Sequence, residues 1–294
     1  MNVIEINNLS KYYRRSCGIE DVSFNVSQGD IFGFIGPNGS GKSTTIRILL
    51  NLIFPTAGSA RIFGFDVVKD SKNIRARTGY VPSDANLYDW MKVHEFLSFG
   101  ASLYGMKNSN DRIRSLGQVF DLDLSRNIRE LSTGNKKKVA ILQALIHRPQ
   151  LLILDEPTTG LDPLIQSRFF DLLHQENNNG TTILFSSHIL SEVQALCNTV
   201  AIVKEGKIVR EETVSSLRDK QLKKVRIVFQ SDMAIKGLGI NGIESAESET
   251  GKILSFLFSG NINELIGKLS AYRVESLSIE EPPLEEIFLH YYQH

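Results

Sequence analysis

The chain has 294 residues, 41% hydrophobic and 22% charged, with 33 basic and 33 acidic side chains that cancel to zero net charge. This composition supplies a core for one large domain, or one large and one small, and lacks the basic excess or stripe of a nucleic-acid binder. Its two cysteines, Cys17 and Cys197, lie far apart outside any CxxC or Cys/His cluster, which argues against a disulfide framework or a zinc site and leaves two buried or idle thiols.

The opening MNVIEINNLSKYYRR has no apolar stretch of signal-peptide length. No run of about 18 apolar residues occurs anywhere, so no spanning helix is expected. The sequence therefore predicts folding in the cytosol, with any membrane association made through a partner. Val3 to Leu9 and part of Glu20 to Val26 alternate apolar and polar residues and read as strands of a half-exposed sheet. Asp30 to Ile35 is an apolar strand ending at Gly36. After the turn-rich GPNGSGKS, Thr44 to Leu52 is apolar-periodic and reads as a helix. Pro55, Gly58 and Gly64 punctuate a return to strand, with Ala60 to Phe63 in it.

From about Val93 to Gln143 the pattern is mostly helical. The basic run Lys136-Lys137-Lys138 reads as a solvated helix face. Leu151 to Leu154 is too short for a helix and suits a strand buried on both faces of a parallel sheet. Thr181 to Phe185 and Thr199 to Val203 read the same way. Strands alternating with helices imply an α/β core. Beyond a polar joint at Lys220 to Lys224, Val225 to Phe229, Ile253 to Phe258 and Val274 to Ile279 read as strands. Asn261 to Leu269 reads as a short helix. After Pro282-Pro283, Leu284 to Tyr292 reads as a terminal helix. These last 70 or so residues form a small α+β domain.

The chemistry lies in the first 215 residues. Gly36-Pro37-Asn38-Gly39-Ser40-Gly41-Lys42-Ser43 fits GxxxxGK[ST], with Thr44 next, and it stands between a strand and a helix as that motif requires. A glycine-rich turn and a helix N-terminus cradle phosphate with backbone N–H groups. Lys42 adds a charge for the β- and γ-phosphates, and Ser43 offers a hydroxyl to Mg²⁺. The strand Leu151-Leu152-Ile153-Leu154 delivers Asp155 and Glu156 at its C-terminal end, the edge where open α/β sheets bind ligands. Asp155 would hold Mg²⁺, and Glu156 would act as general base toward water.

GPNGSGKST, then LSTGNKKKV at Leu131 to Val139, then LLILDEPTTGLDP at Leu151 to Pro163, then ILFSSH ending at His188, form an ordered set. On these motifs residues 1 to about 215 resemble an ABC-transporter nucleotide-binding domain. The resemblance implies a P-loop NTPase core of ABC type with antiparallel β and helical subdomains, plus the small C-terminal α+β domain. Domain limits are 1–219, with the helical subdomain at about 84–145, and 225–294.

It also implies roles. Tyr13 would stack on adenine, with Tyr12 as the nearby alternative. Ser132 and Gly134 would contact the γ-phosphate of ATP bound by an opposite subunit, a homodimer mate or a homologous ATPase subunit. Asp162 would sit at that seam, and His188 would hydrogen-bond the γ-phosphate. The pattern departs from the family in two places. Thr133 and Asn135 replace the Gly and Gln of LSGGQ, and Ser83 stands where the family has a glutamine. Asn86 to Met91, large and apolar, is either core or a docking site for a cytoplasmic helix of a separate transmembrane permease subunit. The tail EEPPLEEIFLHYY is similar to the ending of antibiotic- and bacteriocin-resistance exporter subunits. The implied function is ATP hydrolysis coupled to transport, at the inner face of the cell membrane, with ATP and Mg²⁺ as cofactors and no nucleic-acid partner. A non-transport ABC ATPase is the rival, but this chain has one P-loop, no heptad run and no cysteine cluster.

Overall fold

The computed structural model describes residues 1–14, 16–219, 223–231, 241–248 and 251–280. It divides into two compact units, Met1–Glu212 and Thr213–His294. The first unit opens with β1 (Asn2–Tyr13) and β2 (Ser16–Ser27), a long hairpin. Next come β3 (Ile31–Ile35), α1 (Lys42–Leu49), β4 (Ala57–Ile62), β5 (Phe65–Asp66), α2 (Ser71–Arg75) and β6 (Thr78–Val81). A helical stretch follows: α3 (Val93–Leu103), α4 (Asn110–Val119) and α5 (Thr133–Leu145). The chain then alternates β7 (Leu151–Asp155), α6 (Pro163–Asn178), β8 (Thr182–Ser187), α7 (Leu190–Leu196) and β9 (Thr199–Lys204), ending in β10 (Lys207–Thr213).

Two sheets result. One is antiparallel, in the order β2-β1-β4-β5, and the other runs β10-β9-β3-β8-β7-β6. Five strands of the second sheet, from β9 to the edge strand β6, are parallel. Every residue of β3, β7 and β8 is buried, as expected of parallel strands covered on both faces. The strands of the other sheet alternate: in β2, Val22, Phe24 and Val26 are buried while Asp21, Ser23 and Asn25 are exposed. The two sheets share a core. Phe24 of β2 stacks on Phe32 and meets Phe34 of β3, both at 5.2 Å between ring centroids. Ile46 and Leu49 of α1 fill the space beside them, with Ile6 and Ile153. Burying each such side chain is worth about 1.5–3 kcal/mol relative to leaving it in water. The phosphate-loop helix is thereby anchored in the centre of the unit.

Register places the chemistry. Ile35 pairs with Ser187 and Asp155 with Ser186. The C-terminal ends of β3, β7 and β8 therefore reach one sheet edge together, carrying the glycine-rich loop, Asp155-Glu156 and His188.

In the second unit α8 (Val214–Asp219) precedes β11 (Lys223–Phe229), β12 (Ile243–Ser248), β13 (Ile253–Phe258), α9 (Ile262–Leu269) and β14 (Val274–Glu280). The strands form an antiparallel sheet in the order β12-β13-β11-β14. Val225, Ile227 and Phe229, alternate residues of β11, pack with Phe256, Phe258, Leu265 and Leu269 into a separate core.

The structure corrects the sequence reading in places. Lys137 is buried, not solvated. Lys223 and Lys224 belong to β11 and not to a polar joint. β5, β10 and β12 are strands that alternation did not reveal. The phosphate-loop helix begins at Lys42, two residues early, because its first turn is the phosphate cradle. The terminal helix expected at Leu284 to Tyr292 lies outside the described residues.

Candidate functional site

The loop from Gly36 to Gly41 needs glycine at three points, one of them Gly39 with φ +81°. Gly41 has φ +108°, a left-handed backbone that disfavours any side chain. A Cβ there would also meet Ile19 Cγ2 at 2.6 Å and Gly18 O at 2.9 Å. A Cβ on Gly36 would strike the Val203 carbonyl at 2.1 Å. The loop is thus threaded between β2 and the end of β9. Main-chain hydrogen bonds fix it there: Gly206 N–H donates to Ser40 O at 3.0 Å and Glu20 N–H to Gly206 O at 2.8 Å.

Lys42, nearly fully buried, donates through Nζ to Gly36 O at 2.7 Å and Pro37 O at 3.1 Å. Its ammonium also lies 3.3 Å from Glu156 Oε1. The other oxygen, Glu156 Oε2, lies 3.3 Å from His188 Nδ1. Lys42, Glu156 and His188 therefore form one chain of polar contacts along the sheet edge. Glu156 itself sits at φ +48°, an uncommon conformation for a non-glycine residue. Ser186 holds it there, accepting from Glu156 N–H through both its carbonyl and its Oγ at 3.2 Å.

Ser43 Oγ donates to Asp155 Oδ1 at 3.2 Å, and Ser186 Oγ donates to the same oxygen at 2.9 Å. Asp155 is fully buried, and its Oδ2 has no hydrogen-bond partner. An unpaired carboxylate oxygen in such a place is costly. A cation beside Ser43 and Asp155 would satisfy it, so the residues present fit a divalent ion. Among the described residues no three His, Cys, Asp or Glu side chains converge as a protein cage. Such an ion would draw its remaining ligands from phosphate and water, as Mg²⁺ does. Burial, and then the Asp155 carboxylate, hold the neighbouring Tyr80 hydroxyl up to about 12.

The two tyrosines left open by the sequence differ in their surroundings. A Cβ on Gly18 would meet the Tyr13 ring at 2.8 Å and Thr44 Cγ2 at 3.3 Å. Tyr13 and the start of α1 thus flank the same glycine. Tyr12 instead donates to Glu20 at 3.0 Å, and Glu20 also pairs with Lys207.

Ser132 and Gly134 lie apart from this cluster in sequence and setting. Ser132 is the N-cap of α5, its Oγ accepting from Asn135 N–H at 3.3 Å. Gly134 abuts the loop after β7, where a Cβ would meet Gly160 O at 2.4 Å. Asp162 caps α6, accepting from Ile165 N–H at 3.0 Å. Ser132 is exposed and available to a second chain.

Sequence reasoning missed Lys137. Its Nζ donates to Ser83 O at 2.7 Å and Pro82 O at 2.9 Å. Burial lowers its pKa, while the Asp155, Asp84 and Glu156 carboxylates oppose that shift. The signal was present: Lys137, Ala140, Ile141 and Ala144 share one helical stripe, the buried one.

A glycine-rich loop opening a helix after β3, a histidine just past the neighbouring parallel strand β8 and an acid pair at the end of β7 on its far side define a P-loop ATPase. The family model described as ABC transporter matches residues 19–159. A linearmycin resistance ATP-binding protein of Bacillus subtilis is 29% identical over 98% of this chain and 97% of its own length. A bacitracin transport ATP-binding protein of Bacillus licheniformis is 37% identical over 75% of this chain and 73% of its own length. A solved ATP-binding subunit of an ABC transporter superimposes with a TM-score of 0.70 at 32% identity, covering 74% of this chain and 92% of that one. The chain belongs to the ABC transporter ATP-binding family and is an ATPase.

Proposed function

We propose that this subunit powers an exporter by closing on ATP as a two-chain sandwich beneath a separate membrane permease. The observation that carries the proposal is the continuous set Lys42–Glu156–His188 and Ser43–Asp155–Ser186 at one sheet edge, with Asp155 Oδ2 left for a cation. In this reading the loop from Gly36 to Thr44 wraps the phosphates and Tyr13 stacks on adenine. Lys42 exchanges its carbonyl and Glu156 contacts for the β- and γ-phosphates. Ser43 and Asp155 hold Mg²⁺, which would neutralise charge on the phosphate oxygens. Once Lys42 has turned to phosphate, Glu156 is free to accept a proton from the attacking water, and His188 contacts the γ-phosphate. Ser132 and Gly134 complete the site of the opposite chain, a second copy or a homologue.

Tyr88 stacks on Trp90 at 5.0 Å and meets Phe96 and Phe99. Trp90 is 78% exposed. This aromatic ledge suits a helix of the permease. Among the described residues no helix is long and apolar enough to cross a membrane. In this reading the permease supplies the membrane attachment, with the subunit docked at its cytoplasmic face. Export is supported by relatives named for linearmycin resistance and bacitracin transport. Residues 1–219 are proposed as the nucleotide-binding domain and 225–294 as an accessory one.

Glu156→Gln tests the mechanism. It keeps shape but removes the base, so ATP binding persists while turnover falls at least ~100-fold, about 2.7 kcal/mol of transition-state stabilisation. Light scattering should show the variant as a dimer in MgATP and a monomer without it, because ligand and partner binding are linked. Near-normal turnover would sink the base assignment, and a monomer at saturating ATP would sink the sandwich.

A further inference from the structure

Helix α5 carries the signature residues Ser132 and Gly134 at its N-terminus and Lys137 one turn further in. The segment Pro82–Ser83 leaves the end of β6, whose Val81 pairs with Leu154 beside Asp155. Lys137 joins these two places, its ammonium donating to both carbonyls of that segment, at 2.9 and 2.7 Å. An ammonium has three donors and no acceptor, so two backbone oxygens occupy most of its capacity. A buried lysine is costly unless paired. The preceding residue, Lys136, adds a second link to the same loop, 2.8 Å from Asp89 Oδ1. Ser83 contributes its carbonyl, not its hydroxyl, to the contact. The loop is therefore held by a cation from the signature helix, independent of what side chain stands at position 83.

We propose that Lys137 is a positioning residue for ATP hydrolysis, locking the Ser83 loop of a chain's own nucleotide site to the signature helix that serves the opposite chain's site. The two then shift together, and closure of one site orders the other. This rests on the reading of Ser132 and Gly134 as contacts to the partner's nucleotide. Lys137 touches no substrate; it acts by setting where the loop and helix stand when the sandwich closes.

The test uses the full chain with Lys137→Met, Lys137→Gln and Lys137→Arg. A fluorescent ATP analogue measures binding, steady-state hydrolysis gives kcat, and circular dichroism checks folding. Methionine fills the space without donors, glutamine keeps a neutral NH2 donor group without the charge, and arginine keeps the charge and can reach two carbonyls. The expected result is a loss in kcat of at least ~10-fold in Lys137→Met, an ATP dissociation constant within about threefold of the parent, and recovery to within about threefold in Lys137→Arg. Lys137→Gln should fall between. Adding Lys137→Met to Glu156→Gln should raise the ATP needed for dimerisation at least ~10-fold. Unchanged kcat in Lys137→Met, or in Lys137→Gln should the methionine variant not fold, overturns the proposal. So does equal loss in Met and Arg together with lost ATP binding, which marks a merely structural lysine. If Glu156→Gln with Lys137 intact never dimerises, the sandwich reading fails separately.

Discussion

His147 stacks face to face on Tyr104, with ring centroids 3.7 Å apart and planes within 9°, and neither ring nitrogen has a hydrogen-bond partner. Burial pushes its pKa down from 6.5 to about 4, against the opposing pull of a backbone contact with Thr78 whose geometry is too poor to satisfy either nitrogen. Between those values the unfolded chain binds a proton that the folded chain refuses. Stability is thus present above pH 6.5 and lost as the pH falls toward 4. The gap, at 1.36 kcal/mol per pH unit, corresponds to about 3 kcal/mol in full. About 2 kcal/mol of it is lost between pH 7.5 and pH 5, where the carboxylates are still mostly ionised. His147→Phe keeps a flat ring against Tyr104 and removes the proton site. Urea unfolding of both proteins at pH 7.5 and 5, followed by circular dichroism, isolates the effect, because every other titrating group is common to both. The wild type should lose about 2 kcal/mol more than His147→Phe on acidification. Parallel losses, within about 0.5 kcal/mol, would refute a buried neutral imidazole as the cause.

Other substitutions follow from the site. Ser83→Ala retains the carbonyl that Lys137 grips, so basal ATPase should change by less than about threefold, ~0.7 kcal/mol, whereas Lys42→Ala should nearly abolish it because no water replaces a cation beside the phosphates. A ~30-fold loss in Ser83→Ala would show that the hydroxyl is needed. Gly134→Ala would drive a Cβ into the Gly160 carbonyl; hydrolysis should drop at least ~10-fold with monomer ATP binding intact, and normal kinetics would mean that the two loops part freely. A chain ending at Asp219 should remain folded and bind ATP, as near-native circular dichroism and titration would show; an insoluble or ATP-blind product would make the C-terminal residues part of the main core.

The parts of the fold that could be read from sequence are those where burial is nearly complete. IFGFI, LLILD and TILFSS carry no exposed position, so their apolar runs announce parallel strands. The glycine-rich loop is legible for the same reason, since its residue types answer steric demands of the backbone. β10, KIVREET, has no fully buried residue and four of its seven positions are exposed, so its sequence could not be separated from a polar loop. Lys137 escaped because a run of three lysines was judged by charge, while its depth is set by helical phase against Ala140 and Ala144. Choosing between Tyr12 and Tyr13 required the register of the first hairpin, in which Tyr12 pairs with Cys17 and Tyr13 with Ser16. Irregular pairing along that hairpin leaves the facing of each ring to the folded backbone. Ser83 illustrates the remaining limit: the residue type was visible, but the atom that matters is its carbonyl, which every residue has.

The brace around the glycine-rich loop has a consequence for how the molecule comes into being. Ser40 is gripped by Gly206, and Gly206 is gripped by Glu20, so the loop's shape depends on two stretches separated by nearly the whole first unit. On a ribosome the loop emerges early, while the turn that steadies it is made some 160 residues later. Until then the glycines are free to wander, and their conformational freedom works against any fixed cradle. A nascent chain therefore cannot acquire its nucleotide site piecemeal. The braced cradle thus exists only once the turn at Gly206 has folded against Ser40 and Glu20.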